Sequence, residues 1–370
     1  MTMTNIPELF KTTPAVFAAG EDYQIMIPVN GEALLWIEIG DHKYYDHSNG
    51  IMVSDTDMHR VCVPQKILNE KKEYTVVYRK IIDRKPYYPE SEDEVRTTFS
   101  FRPVKSFAET DTVRFYHLSD THGRPEMPIE AAKYFGDALD FLIFNGDMID
   151  HSGDTKNFEV LFRIAEALTH GEIPIINSRG NHDMRGYCAD RIKDYTPAVN
   201  GLTYYTVHLG DLYFILLDCA EDKDDASIEY GHTVACHAFR EAQTEYLRGI
   251  IADKENTFGA PDIAHTFVLC HMPFTRIDRA PFNIEQDIYR EWTRLLSDDV
   301  HPDLMIAGHM HRAGIYRPGD ENDSYGVNFP VIIAGEPQSS RYIGGAFAVT
   351  KNGITIHLTD NERNAEEVVL

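Results

Sequence analysis

The sequence predicts an all-β sandwich followed by a layered α/β domain, and two textures along the chain predict it. Through about residue 102, apolar residues recur at every second position, the period of half-buried strands. From residue 112 onward, short fully apolar runs alternate with amphipathic stretches at helical spacing. At 370 residues the chain is also too long for one ordinary domain.

In the first part, Tyr23, Ile25, Ile27 and Val29 alternate with Gln24, Met26 and Pro28, and Leu35, Ile37 and Ile39 with Trp36 and Glu38. Val95, Thr97, Phe99 and Phe101 face away from Arg96, Thr98, Ser100 and Arg102. Asn30-Gly31 and Asn49-Gly50 supply turns between such runs. These strands, with no helix required, are expected to form a sandwich of the immunoglobulin or fibronectin III type over residues 1–108. The polar segment 106–111 is the expected linker, and the second domain is expected over 109–370.

In that second domain the runs 113–118, 141–144, 173–176, 266–270 and 304–307 suit buried strands. Phe239, Ala242, Tyr246 and Ile250 fall on one face of a helix expected over 237–254. Residues 204–208 and 212–218 read as a hairpin around Gly210-Asp211. No internal repeat or low-complexity tract interrupts the pattern.

Composition narrows the partners. Hydrophobic residues at 43% and charged residues at 25% are those of a soluble globular protein. The longest apolar run, 212–217, is far too short to cross a bilayer, so no membrane is expected. A formal charge of −24 would repel a phosphodiester polymer, making nucleic acid an unlikely partner. The first thirty residues carry Glu8, Lys11 and Glu21 and no apolar core behind a basic start. Five cysteines, an odd number with no CxxC pair, read as reduced thiols, and the expected location is cytoplasmic. The oligomeric state is left open.

Five segments at the ends of expected strands are rich in metal-binding side chains. They are Ser119-Asp120-Thr121-His122, Asn145-Gly146-Asp147, Gly180-Asn181-His182-Asp183, Cys270-His271 and Gly308-His309-Met310-His311. In open α/β sheets, loops at the carboxyl ends of strands converge on one crevice. Each segment alone has a bland reading: a turn, a helix cap, or a buried imidazole. Five in order, each at a strand end, favour a metal centre over coincidence.

The order DxH, GD, GNHD, an isolated His after a strand, and GHxH resembles the calcineurin-like metallophosphoesterases from about residue 113 onward. The resemblance implies two packed sheets flanked by helices, an α/β/β/α sandwich, with a two-metal centre at the strand ends. By motif, Asp120, His122 and His311 would hold one ion and Asn181, His271 and His309 the other, with Asp147 bridging. It further implies hydrolysis of a small phosphate ester by a metal-bridging hydroxide, with His182 as general acid. Mixed nitrogen and oxygen ligands suit Mn²⁺, Fe or Zn²⁺. Asp183 is expected either to orient the His182 imidazole or to cap a helix. Arg124 and Arg185 are the first choices for binding substrate phosphate, among several loop arginines.

A β-sandwich ahead of such a domain resembles purple acid phosphatases, whose VxxH pattern Val268-Leu269-Cys270-His271 matches. The match is partial: those enzymes have Gly where this chain has His122, Tyr where it has Asp150, and Glu where it has Asp183. A protein phosphatase, a nuclease and a non-catalytic scaffold of the same family are the alternatives. The last is disfavoured by the complete ligand set.

Overall fold

The computed structural model describes residues 6–370. Two sheets face each other through an aromatic core. One sheet has, from edge to edge, Ala365–Val368, Gly353–Asp360, Tyr342–Thr350, Val113–Leu118, Phe141–Asn145, Ile175–Ser178, Ala15–Ala19, Asp22–Pro28 and Met58–Pro64. The other has Tyr205–Leu209, Leu212–Leu216, His265–Leu269, Leu304–Ala307, Val331–Ile333 and Gly314–Tyr316. Between them Phe115 stacks on Phe347 with ring centres 4.6 Å apart and meets Phe214 edge-on at 6.1 Å. Such offset and edge contacts add to the burial of the rings themselves.

Helices cover both outer faces, because each sheet carries a second apolar face. Phe162 and Ile164 of helix Glu159–Thr169 pack with Phe17, Leu142 and Phe144 of the larger sheet. Leu247 of helix Cys236–Ala252 and Trp292 of helix Gln286–Leu295 pack with Ile215 and Val268 of the smaller one. The expected α/β/β/α layering is therefore present. Each expected run contains a strand, though the one expected over 173–176 begins at Ile175, and all are buried except for half-buried Arg114. No helix is long and apolar enough to cross a membrane among the described residues.

The N-terminal region is rich in strands but is not sealed off. Ala15–Ala19 lies parallel to Ile175–Ser178, with Phe17 opposite Ile175, so three N-terminal strands extend the larger sheet. A second layer, Val95–Ser100, Glu73–Asp83, Ala33–Ile39 and His42–Tyr45, closes over them. Ile25, Ile27, Val61 and Val63 share a core with Leu35, Ile37, Val76 and Tyr78. A division between 1–108 and 109–370 thus runs through one continuous sheet. The expectation of no helix in this region is corrected as well: Gln65–Lys71 forms one, burying Leu68 and ending at left-handed Lys72. The segment 106–111 is a turn, tied by the Phe107 N–H to Asp211 Oδ2 at 2.6 Å.

Candidate metal centre

All five ligand-rich segments leave the carboxyl ends of strands that run parallel to at least one neighbour. Val113–Leu118, Phe141–Asn145 and Ile175–Ser178 belong to one sheet, and His265–Leu269 and Leu304–Ala307 to the other. The facing layers therefore aim their loops at one shared rim. The chain turns abruptly there. Asp120, His122, Asp147, His309 and His311 all adopt positive φ, between 45° and 67°. For non-glycine residues this costs on the order of 1 kcal/mol or more each, and such strain concentrates at functional sites. Gly308 is obligatory for a different reason: a methyl there would collide with Ser119 Oγ and Asp120 Oδ2.

These turns bring the candidate ligands together in overlapping groups. Asp120, His122 and His311 present atoms within 4.8 Å of one another, as do Asp147, His271 and His309. A third group, His122, Asp147 and His182, links the two. Asn181 joins the second group, with Oδ1 3.0 Å from His309 Nδ1. His122 Nε2 and His311 Nε2 are likewise 3.0 Å apart.

The surrounding hydrogen bonds leave one set of atoms free and aimed inward. Asp120 Oδ2 accepts from Ser119 Oγ at 2.6 Å and from the His309 N–H at 2.9 Å. Its Oδ1 makes no hydrogen bond although it is buried. The His271 ring lies 2.7 Å from the Asn145 carbonyl through Nδ1, which therefore donates and leaves Nε2 as the ring atom open to a proton or a metal ion. That buried Nε2 makes no hydrogen bond and sits 3.2 Å from Asp147 Oδ2. Buried His122 Nδ1 is also unpartnered. Buried polar atoms are rarely left so, and carboxylate oxygens with imidazole nitrogens are the donors divalent and trivalent cations take. The residues present fit metal ions.

Electrostatics point the same way. Burial pulls His271 down, but the Asp147 and Asp120 carboxylates outweigh it and push it up to about 10. Burial opposes ionisation of Asp147, yet His271, with His182 and His122 behind it, holds its carboxyl well below the usual range. Burial keeps His309 down at about 4. The carboxylates thus demand positive charge, which a proton on His271 or a cation can supply.

The other expected site residues fall differently. His182 is itself a member of the third group, its Nδ1 2.9 Å from the Asp150 carbonyl. Asp183 neither reaches that ring nor caps a helix with its side chain. Its carboxylate accepts from the backbone N–H groups of Gly180, Asp147 and Ile149 at 2.8, 3.0 and 3.3 Å. The reading of Asp183 as the orienter of His182 is corrected: a two-oxygen acceptor satisfies three donors at the junction of two ligand loops instead. Arg185 is engaged too. Its guanidinium binds Glu221 at 2.7–3.2 Å and Asp222 at 3.3 Å, with Nη1 3.3 Å from His182 Nε2. Arg124 is exposed on the turn after His122, and its side chain forms no ion pair among the described residues.

Sequence reasoning missed Ser119 and Glu221. Ser119 Oγ also donates toward the Asn145 carbonyl at 2.8 Å, and its backbone is clasped by the Tyr342 hydroxyl. Position beside Asp120 was a usable signal for Ser119. Glu221 lies in a loop with no local signature.

Comparison with known proteins agrees with this geometry. Residues 113–313 match the family model for calcineurin-like phosphoesterase. No curated protein sequence gives a significant match. Among solved structures, the purple acid phosphatase PPD1 from yellow lupin (Lupinus luteus) seeds superposes with a TM-score of 0.60 at 12% identity, covering 97% of this chain and 74% of that one. A structure of PhoD superposes with a TM-score of 0.57 at 11% identity, covering 100% and 90%. At such identities the likeness establishes the fold. With the family match spanning more than half its length and metal-binding clusters at the family's strand ends, the chain belongs to the calcineurin-like phosphoesterases, a family of metal-dependent phosphoester hydrolases.

Proposed function

We propose that this protein hydrolyses small phosphate esters at a two-metal centre. Asp120, His122 and His311 would hold one ion, Asn181, His271 and His309 the other, and Asp147 would be shared between them. The observation that carries this is that Asp147 belongs to ligand groups on both sides, with His271 and His309 and with His122. When bound, the ions would neutralise the phosphate oxygens and supply an activated water. Mixed imidazole, amide and carboxylate donors favour Mn²⁺, Fe or Zn²⁺.

The chain's own part is charge, position and a proton. Asp120 and Asp147 are fixed by Ser119 Oγ and by the His309 and His182 N–H groups. His182 is the proton donor to the leaving alcohol. Its Nδ1–H donates to the Asp150 carbonyl, which fixes the ring and presents Nε2 to the cleft. Arg185 Nη1 can only donate, so it bonds Nε2 while the ring is neutral and gives way when Nε2 carries the proton; Arg185 is held by Glu221 and is not itself the phosphate clamp. The formal charge of −24 favours small esters over nucleic acid.

His182→Ala tests the assignment. It should keep both metals and slow an alkyl ester by roughly 10²–10⁴-fold. A p-nitrophenyl ester, whose leaving group needs little protonation, should lose much less. Equal losses on both esters would remove His182 from the role.

A further inference from the structure

Next to His182 lies a cavity of about 720 Å³ that the metal-binding residues do not line. Arg185 forms the wall between the two. It borders the cavity while its Nη1 is 3.3 Å from His182 Nε2. We propose that this cavity receives the alcohol portion of the substrate and selects bulky, uncharged, apolar or aromatic alcohols. The inference rests on the reading of His182 as proton donor.

Geometry gives the location. A leaving oxygen must sit about 2.6–3.2 Å from the acid's donating nitrogen. Nδ1 is occupied by the Asp150 carbonyl, so the donor is Nε2. The carbon skeleton attached to that oxygen then emerges beside Arg185, at the cavity mouth. The volume lies within the roughly 300–1,000 Å³ of small-molecule sites, far more than a methyl or ethyl group fills.

The walls give the chemical class. Met184, Ala220, Tyr230 and Phe239 contribute apolar and aromatic surface. The two arginines are neutralised: Arg185 by buried Glu221, and Arg179 by Asp218 at 2.8 Å. Arg179 also lies over the Phe239 ring at 5.3 Å, which closes the floor. Of two more carboxylates on the wall, Glu229 is paired with Lys223 at 3.0 Å, and Asp190 forms no ion pair among the described residues. A second phosphate or a carboxylate on the alcohol would find no free cation there and would meet like charge. An apolar ring would exchange water for hydrocarbon. Burying a ring of phenyl size favours binding by roughly 10- to 100-fold.

The test compares ethyl, 2-phenylethyl and 2-carboxyethyl phosphate with the metal-loaded protein. All three release primary alkoxides, so differences in kcat/KM report the alcohol's surroundings more than its reactivity. The wild type should prefer the phenylethyl ester over the ethyl ester by tenfold or more, and should gain nothing from the carboxylate. Ala235→Trp, which fills the cavity from an exposed wall position, should erase the phenylethyl preference and leave ethyl phosphate unchanged. Equal rates for ethyl and phenylethyl esters, preference for the carboxylate, or equal losses in the variant would overturn the proposal. If none of the esters turns over, the reading of the reaction has failed and the cavity is judged by binding alone. Saturation-transfer NMR should then show 2-phenylethanol bound to wild type and not to Ala235→Trp. No binding to wild type would overturn the cavity assignment itself.

Discussion

Replacing Asp183 with Ala separates a structural carboxylate from a catalytic one. The wild-type side chain is buried and accepts three backbone N–H bonds, from Gly180, Asp147 and Ile149. Alanine leaves all three donors unsatisfied, at about 1–3 kcal/mol each, offset by no longer burying a carboxylate. A net loss of about 3–5 kcal/mol follows, among the larger effects of single substitutions. An unfolding entropy of roughly 2 cal/mol/K per residue gives about 0.8 kcal/mol/K for 370 residues, so Tm should fall by about 4–6 °C. Asp183→Asn keeps one acceptor oxygen and should lose about half as much. Because the N–H groups at 180 and 147 fix the ligand loops, metal content should fall with stability. Activity should then drop alike for alkyl and p-nitrophenyl esters. Scanning calorimetry, metal analysis and the two esters together decide it. An unchanged Tm with both metals retained, and a loss confined to the alkyl ester, would refute the backbone role and restore Asp183 as the orienter of His182.

Two further outcomes follow from the same structure. Metal affinity should rise with pH, because a proton on His271 competes with the ion. In the metal-free protein this raised group contributes stability that is complete below its ordinary value of 6.5 and is lost as pH rises through about 10. Titrating Mn²⁺ or Zn²⁺ between pH 6.5 and 9 should therefore show tightening by up to about tenfold per unit, and a flat profile would contradict it. Reconstituted with iron, the protein should be pale where tyrosinate–iron complexes of purple acid phosphatases absorb. By the motif resemblance Asp150 would take the place of their Tyr, the Tyr342 hydroxyl donates to the Ser119 carbonyl at 2.7 Å, and Tyr187 is 95% exposed. An intense violet band would mean that a tyrosine reaches the metal.

The legible part of this protein was local. Five short motifs at the ends of apolar runs disclosed the layered domain, because parallel strands bury both faces and must place their chemistry at their carboxyl ends. The less legible part was non-local. Nothing in the alternation of residues 15–28 announces that Phe17 will pair with Ile175, so the N-terminal strands read as a separate sandwich. Arg185 looked like a phosphate ligand because its partner Glu221 is 36 residues away in a loop without a motif. Asp183 was placed beside His182 by sequence proximity, whereas the positive-φ turn at Asp147 brings backbone donors to it from another loop.

The bridging role of Asp147 is the centre of this account, and metal stoichiometry tests it most directly. Wild type and Asp147→Ala would be loaded with Mn²⁺ or Zn²⁺, desalted, and measured by mass spectrometry of the metal, with circular dichroism to establish folding. The account predicts two ions per chain in wild type. It predicts loss of at least one ion, together with activity, in folded Asp147→Ala. A wild type that holds a single ion, or a variant that retains two, would contradict it.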